Sequence, residues 1–190
     1  MKGESGGRGV VADVYAQRAL RSMGSQEQRV TSKLPCQVAA VCYRRTLQGL
    51  EFLLVNTNGG DKWTFPKGST DPRISHRQAA EREAWEEAGA LGRIETAHFH
   101  TFVYAKGVFW KKPGVQEFPV KAYLFEVHHL RRAPEPLRNP TWFSPVGAKQ
   151  VLAKGREVKY GRELVEVIDR ALDQLVQVYE PSDGRIQPSF

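Results

Sequence analysis

Residues 68–90 read GSTDPRISHRQAAEREAWEEAGA, and this stretch decides the fold. Its second half predicts a helix over 75–88: Ser75 and Gln78 have the form of a capping box, and Gly89 stands where a left-handed residue stops a helix. On that helix Glu83, Glu86 and Glu87 are spaced i, i+3, i+4. Their carboxylates therefore point within about 100° of one another. Each like-charged pair costs about 0.3 kcal/mol in an isolated helix, so such a cluster is either left in water or met by cations. Hard divalent ions such as Mg²⁺ suit it, because they take oxygen ligands from a few carboxylates and from substrate phosphates. Ala84 and Ala88, on another side of the helix, are small enough for close packing against a sheet. Taken alone, an EREAWEE run is most simply a solvated charged helix. Its surroundings decide otherwise.

Working outward, CQVAAVCYRR (36–45) and LEFLLVNT (50–57) predict two strands around a TLQG turn. NGGDK (58–62) is a loop by its turn chemistry, and WTFPKG (63–68) runs extended because Pro66 biases Phe65 away from the helical region. After the helix, RIETAHFHTFVYAKG (93–107) and FPVKAYLFEVHHL (118–130) predict two strands, joined by a loop that contains Lys111, Lys112, Pro113 and Gly114. Ser144 and Pro145 are the N-cap and first residue of a further helix. YGRELVEVIDRALDQLVQVY (160–179) predicts an amphipathic helix with Leu164, Ile168, Leu172 and Leu175 on one stripe. This order predicts an α+β fold, an α/β/α sandwich.

Length and composition frame that reading. The chain has 190 residues, 41% hydrophobic and 26% charged, as expected of one soluble domain with a sizeable core. Residues 1–33 hold four glycines in the first nine and predict a disordered basic arm; 34–178 form the domain, and 179–190 a polar tail. No membrane span or signal peptide is expected, and the sequence leaves monomer and homodimer open. Cys36 and Cys42 lie roughly 20 Å apart on an extended strand, too far to bridge, which suits a reducing cytoplasm. A net charge of +7 attracts polyanions. With no zinc-finger or helix-turn-helix pattern, nucleic acid is weakly supported, and small phosphorylated ligands fit the charge equally well.

Gly68, thirteen further residues and then Arg82-Glu83-Ala84-Trp85-Glu86-Glu87-Ala88-Gly89-Ala90 have the length and order of the Nudix box, GX5EX7REUXEEXGU with U aliphatic. WTFPKG resembles the lead-in common in that family, and WFSP before a helix resembles its C-terminal part. The chain is thus similar to the Nudix hydrolases over 34–178. The resemblance implies an α/β/α sandwich with a mixed sheet and a loop–helix–loop motif, and an enzyme that cleaves a diphosphate bond with Mg²⁺ or Mn²⁺. Glu83, Glu86 and Glu87 match the family's metal-binding glutamates. Glu83 or Glu87 would also orient or deprotonate the attacking water, and Arg82 would brace the glutamates.

Four positions depart from the pattern, two of them mildly, since Ala84 and Ala90 stand where it has a bulky aliphatic. The first box glutamate is replaced by Ile74, and a position commonly glycine is Arg73. In the family that glutamate supports the loop, often by pairing with the box arginine, so a supporting contact of Arg82 is missing while the metal ligands remain. Asp71 and Glu81 are near enough in sequence to replace it. A Nudix fold used only for ligand binding is the reading this departure motivates.

The resemblance of WTFPKG to the lead-in of enzymes acting on dinucleoside polyphosphates and diphosphoinositol polyphosphates implies a polyphosphorylated small-molecule substrate, with Lys67 and Gly68 at the phosphates. A diadenosine tetraphosphate-like compound leads; diphosphoinositol polyphosphates, nucleotide sugars and RNA 5′ ends are alternatives. Tyr123 matches a substrate-holding strand tyrosine, or is a packed strand residue. Lys111, Lys112 and Lys121 are further phosphate candidates, and Glu117 or Glu126 a candidate additional glutamate. The five histidines form no ligand constellation.

Overall fold

The computed structural model describes residues 36–57, 60–108 and 114–177, so the expected N-terminal arm, the C-terminal tail, Lys111 and Lys112 lie outside the described residues. Its centre is β1 (Gln37–Thr46), which pairs in parallel with the long β7 (Gly114–Leu130) and antiparallel with β2 (Gly49–Asn56). β4 (Lys67–Ser69) continues along the β2 edge of β1, with Val38 opposite Gly68. β3 (Trp63–Thr64) and β8 (Thr141–Phe143) both pair with β2, completing a mixed eight-stranded sheet with β5 (Ala90–Ile94) and β6 (His100–Val108).

Strand periodicity sorts the core into two layers. Ala39, Val41, Phe52 and Leu54 face α2 (Pro145–Ala153) and α3 (Val158–Gln177), where Leu164, Ile168 and Leu175 are buried and Leu172 packs at the margin. Val38, Ala40, Cys42, Leu53 and Val55 face α1 (His76–Ala88) through Ala79, Ala80, Ala84 and Ala88. The near-continuous apolar run of β2 follows from this, since Phe52, Leu53, Leu54 and Val55 are all fully buried between helices on both faces.

The stretch 93–107 corrects one expectation, because two strands stand where one was predicted. β5 and β6 both pair antiparallel with β7, Ile94 opposite Phe125 and His100 opposite Ala122. Six residue steps on one side therefore match three on the other, and the surplus bulges out between Glu95, whose N–H donates to Leu124 O, and Phe99, whose N–H donates to Ala122 O. His98 lies in this bulge and not in the single strand expected over 93–107.

α1 is set by local chemistry. Ser75 accepts from the Gln78 N–H while the Gln78 side chain accepts from Ser75 N–H, a complete capping box. Gly89 ends the helix at φ 66°, and a Cβ there would overlap the Arg131 carbonyl. The alanine face lets α1 lie close on the sheet. Its acidic face is thereby carried against β4.

Candidate active site

Two of the three helix glutamates are not solvated: Glu83 is 7% exposed and Glu87 4%. Glu87 Oε2 accepts the Lys67 N–H at 3.1 Å, and its Oε1 meets Arg138 NH2 at 2.5 Å. The Glu83 carboxylate fills the space beside Gly68, where a Cβ would overlap it. Burial pushes the carboxyl groups of both Glu83 and Glu87 above the ordinary glutamate value. Arg82 pulls Glu83 back in part, and Arg138 with the Lys67 amide does the same for Glu87. Glu86 is half-exposed on the rim.

Arg82 ties these groups to the loop. It reaches Glu83 Oε1 at 3.3 Å, Glu86 Oε2 at 3.7 Å and Asp71 Oδ2 at 3.8 Å. Asp71 thus faces the arginine that the missing box glutamate would face. Arg73 grips Asp71 from the other side, donating from its backbone N–H (2.9 Å) and from Nε and NH2 (3.0 and 2.8 Å). These bonds, with Arg82 adding a smaller effect, hold the Asp71 carboxyl below the usual carboxylate range. Ile74 turns inward and packs against the layer between α1 and the sheet. An apolar side chain thus stands at position 74, and Asp71 supplies a carboxylate beside Arg82.

A cavity of about 310 Å³ opens beside Glu87, lined also by Lys67, Tyr104, Arg138, Gln37, Thr57 and Thr64. The Lys67 ammonium lies 3.6 Å above the Tyr104 ring. β6 presents Tyr104 from a strand tied to α3, where Glu163 accepts the Val103 N–H at 2.8 Å.

Sequence reasoning missed Arg138. It joins Glu87 to Glu135 (2.6 Å) and donates to Asn56 O (3.3 Å). Its neighbours Leu137 and Asn139 both have positive φ, 64° and 48°. A leucine in that region is strained, and Arg138 sits between the two unusual residues. A turn at Asn139-Pro140 is legible in sequence, but nothing there announces a partner on α1.

The other expected residues fall elsewhere. Tyr123 is 5% exposed in the α1-facing layer, 6.0 Å from the His98 ring, and does not line the cavity. Lys121 Nζ lies 3.2 Å from His76 Nδ1 at the start of α1. Glu117 accepts from Lys159 and Tyr160, and Glu126 pairs with Arg93, so neither joins the cavity.

Among the described residues no three carboxylate, thiol or imidazole groups already converge on one point, since the glutamates are turned toward their arginines. The donor set nonetheless fits a hard divalent cation. It offers carboxylate oxygens alone, two of them buried with their charged form disfavoured, in a space kept clear by Gly68.

The NUDIX domain family matches residues 35–162. An Ap4A hydrolase of C. elegans, in a binary complex, superposes with a TM-score of 0.56 at 23% identity, over 76% of this chain and 99% of that one. The NUDIX domain of Shewanella oneidensis NrtR, complexed with ADP ribose, gives 0.55 at 16% identity, over 82% and 97%. A NUDIX hydrolase from Nitrosomonas europaea gives 0.52 at 20% identity, over 83% and 97%. At these identities the likeness is one of fold.

Proposed function

The chain belongs to the NUDIX domain family, and on that premise we propose that it hydrolyses a diphosphate linkage in a polyphosphorylated small molecule, foremost a dinucleoside polyphosphate, with Mg²⁺ or Mn²⁺. The observation that carries the reading is a pair of buried glutamates, one helical turn apart, of which Glu87 lines a cavity together with Lys67 and Arg138. Glu83, Glu86 and Glu87 would hold the cation, which when bound neutralises phosphate charge and lowers the pKa of water.

The chain's own groups do the rest. Glu83 or Glu87 orients or deprotonates the attacking water, and both are held in place, one against Gly68 and the other by the Lys67 amide and Arg138. Arg82 braces Glu83 and Glu86 against Asp71. Lys67 places positive charge at the cavity wall, where positioning and charge stabilisation provide most of the rate in phosphoryl chemistry. The dinucleoside substrate is supported by the WTFPKG lead-in and accords with the fold of the C. elegans enzyme. A cytoplasmic setting belongs to the same proposal. Cys36 and Cys42 are free thiols, and no described helix is long and apolar enough to cross a membrane.

Phosphate release from a panel of dinucleoside polyphosphates, diphosphoinositol polyphosphates and nucleotide sugars, with and without Mg²⁺, tests this. Turnover is expected only with the cation, and Glu83→Gln and Glu87→Gln each lose at least about 100-fold in kcat. Cation-independent turnover, or full activity in both variants, overturns the assignment. Tight binding without turnover of any panel member points instead to a ligand-binding module.

A further inference from the structure

Thr64 is 1% exposed, and its hydroxyl is buried with no hydrogen-bond partner. Gln37, which lines the same cavity, has a buried and equally unpartnered Oε1. Buried polar atoms in folded proteins are nearly always paired, and an orphan is costly enough to need a reason. Packing gives none at Thr64. On β3, opposite Val55, valine would give the same β-branched shape without a polar atom. What remains is the cavity.

The lining is rich in donors: the Lys67 ammonium, the Arg138 guanidinium, the Thr57 and Thr64 hydroxyls, and the Gln37 amide, which presents N–H instead of oxygen after a half-turn. Glu87 is the one carboxylate among these lining residues. A ligand that matches them is anionic and carries acceptor oxygens on several sides. A phosphoryl group has that form.

We infer that Thr64, together with Gln37, hydrogen-bonds a phosphoryl group of the substrate's polyphosphate chain inside this cavity, a role that rests on the hydrolase reading above. Thr64 is then a binding residue whose hydroxyl stays unpaired until the ligand arrives. Stability and binding should consequently move in opposite directions when the hydroxyl is removed, which a packing role would not produce.

Inorganic tripolyphosphate, a phosphate chain with no nucleoside, is titrated calorimetrically in Mg²⁺ buffer into wild type, Thr64→Val and Thr64→Ser, with the Tm of each recorded. Thr64→Val should bind at least about tenfold more weakly, as for a lost hydrogen bond to a charged group, with an unchanged or higher Tm. Thr64→Ser, which keeps the hydroxyl, should bind within about threefold of wild type. In turnover of a panel substrate the Val variant should raise KM and spare kcat. Unaltered binding by Thr64→Val overturns the inference, as does weaker binding accompanied by a lower Tm. Failure of the hydrolase reading looks different: wild type binds tripolyphosphate yet turns over no panel substrate, and the Val and Ser titrations still decide the role of Thr64. Wild type that does not bind tripolyphosphate overturns the inference outright.

Discussion

Gly68→Ala separates the catalytic site from the fold. An ideal Cβ at Gly68 lies 2.5 Å from Glu83 Oε2 and nearer still to Oε1 and Cδ, whereas ordinary Cβ contacts begin at 3.4 Å. The carboxylate must therefore withdraw by about 1 Å, a displacement that costs on the order of 100-fold in rate when it falls on a reacting group. The main chain does not resist the change, because Gly68 is not among the described glycines with positive φ. Its neighbour is the far end of a flexible side chain, so the folding cost should sit at the lower end of the about 1–3 kcal/mol typical of overpacking. We expect kcat for Mg²⁺-dependent phosphate release to fall about 100-fold, with unchanged far-ultraviolet circular dichroism and a Tm a few degrees lower. A folded Gly68→Ala protein within about threefold of the wild-type rate would refute the placement of Glu83 in the reaction.

Asp71→Ala should cost about 10–100-fold in activity or cation affinity, as other losses of a supporting contact do, and an unaffected rate removes Asp71 as the brace of Arg82. Ile74→Glu should change the rate by less than about threefold, since Arg82 already has a carboxylate, while the lost apolar packing costs about 1 kcal/mol of stability in urea unfolding; a rate gain near tenfold would show the brace incomplete. Arg138→Gln strands Glu87 in a buried site and should cost about 3–5 kcal/mol in chemical denaturation, a loss that a solvated surface pair would not show. Burial first, then Lys121 and His98, holds His76 below the ordinary histidine value, so on acidification the unfolded chain takes up its proton before the folded one. Stability present above about pH 6.5 is then lost as pH falls below it, and His76→Gln should flatten that part of a urea-midpoint profile.

What could be read in advance was local. The capping box of Ser75 and Gln78, the stop at Gly89 and the glutamate spacing each depend on residues within one or two helical turns. The continuous apolar run of β2 signalled a strand covered on both faces without saying what covered it. Arg138 stayed hidden because its partner lies 51 residues away on another element, and one arginine in a polar loop resembles any other. Thr64 was equally silent, since a threonine in a strand is ordinary until its hydroxyl is found without a partner. For the lost glutamate the sequence offered Asp71 and Glu81 on equal terms, and only the loop geometry brings Asp71 to Arg82.

Moving that carboxylate from position 74 to position 71 changes more than its address. A glutamate turned toward Arg82 would answer to one cation, whereas Asp71 divides itself between Arg82 and Arg73, whose side chain is 86% exposed. An ion pair so open to solvent weakens as salt is added, more than a buried pair does. The loop beside the glutamates is therefore fastened partly from outside, by a contact that added salt loosens.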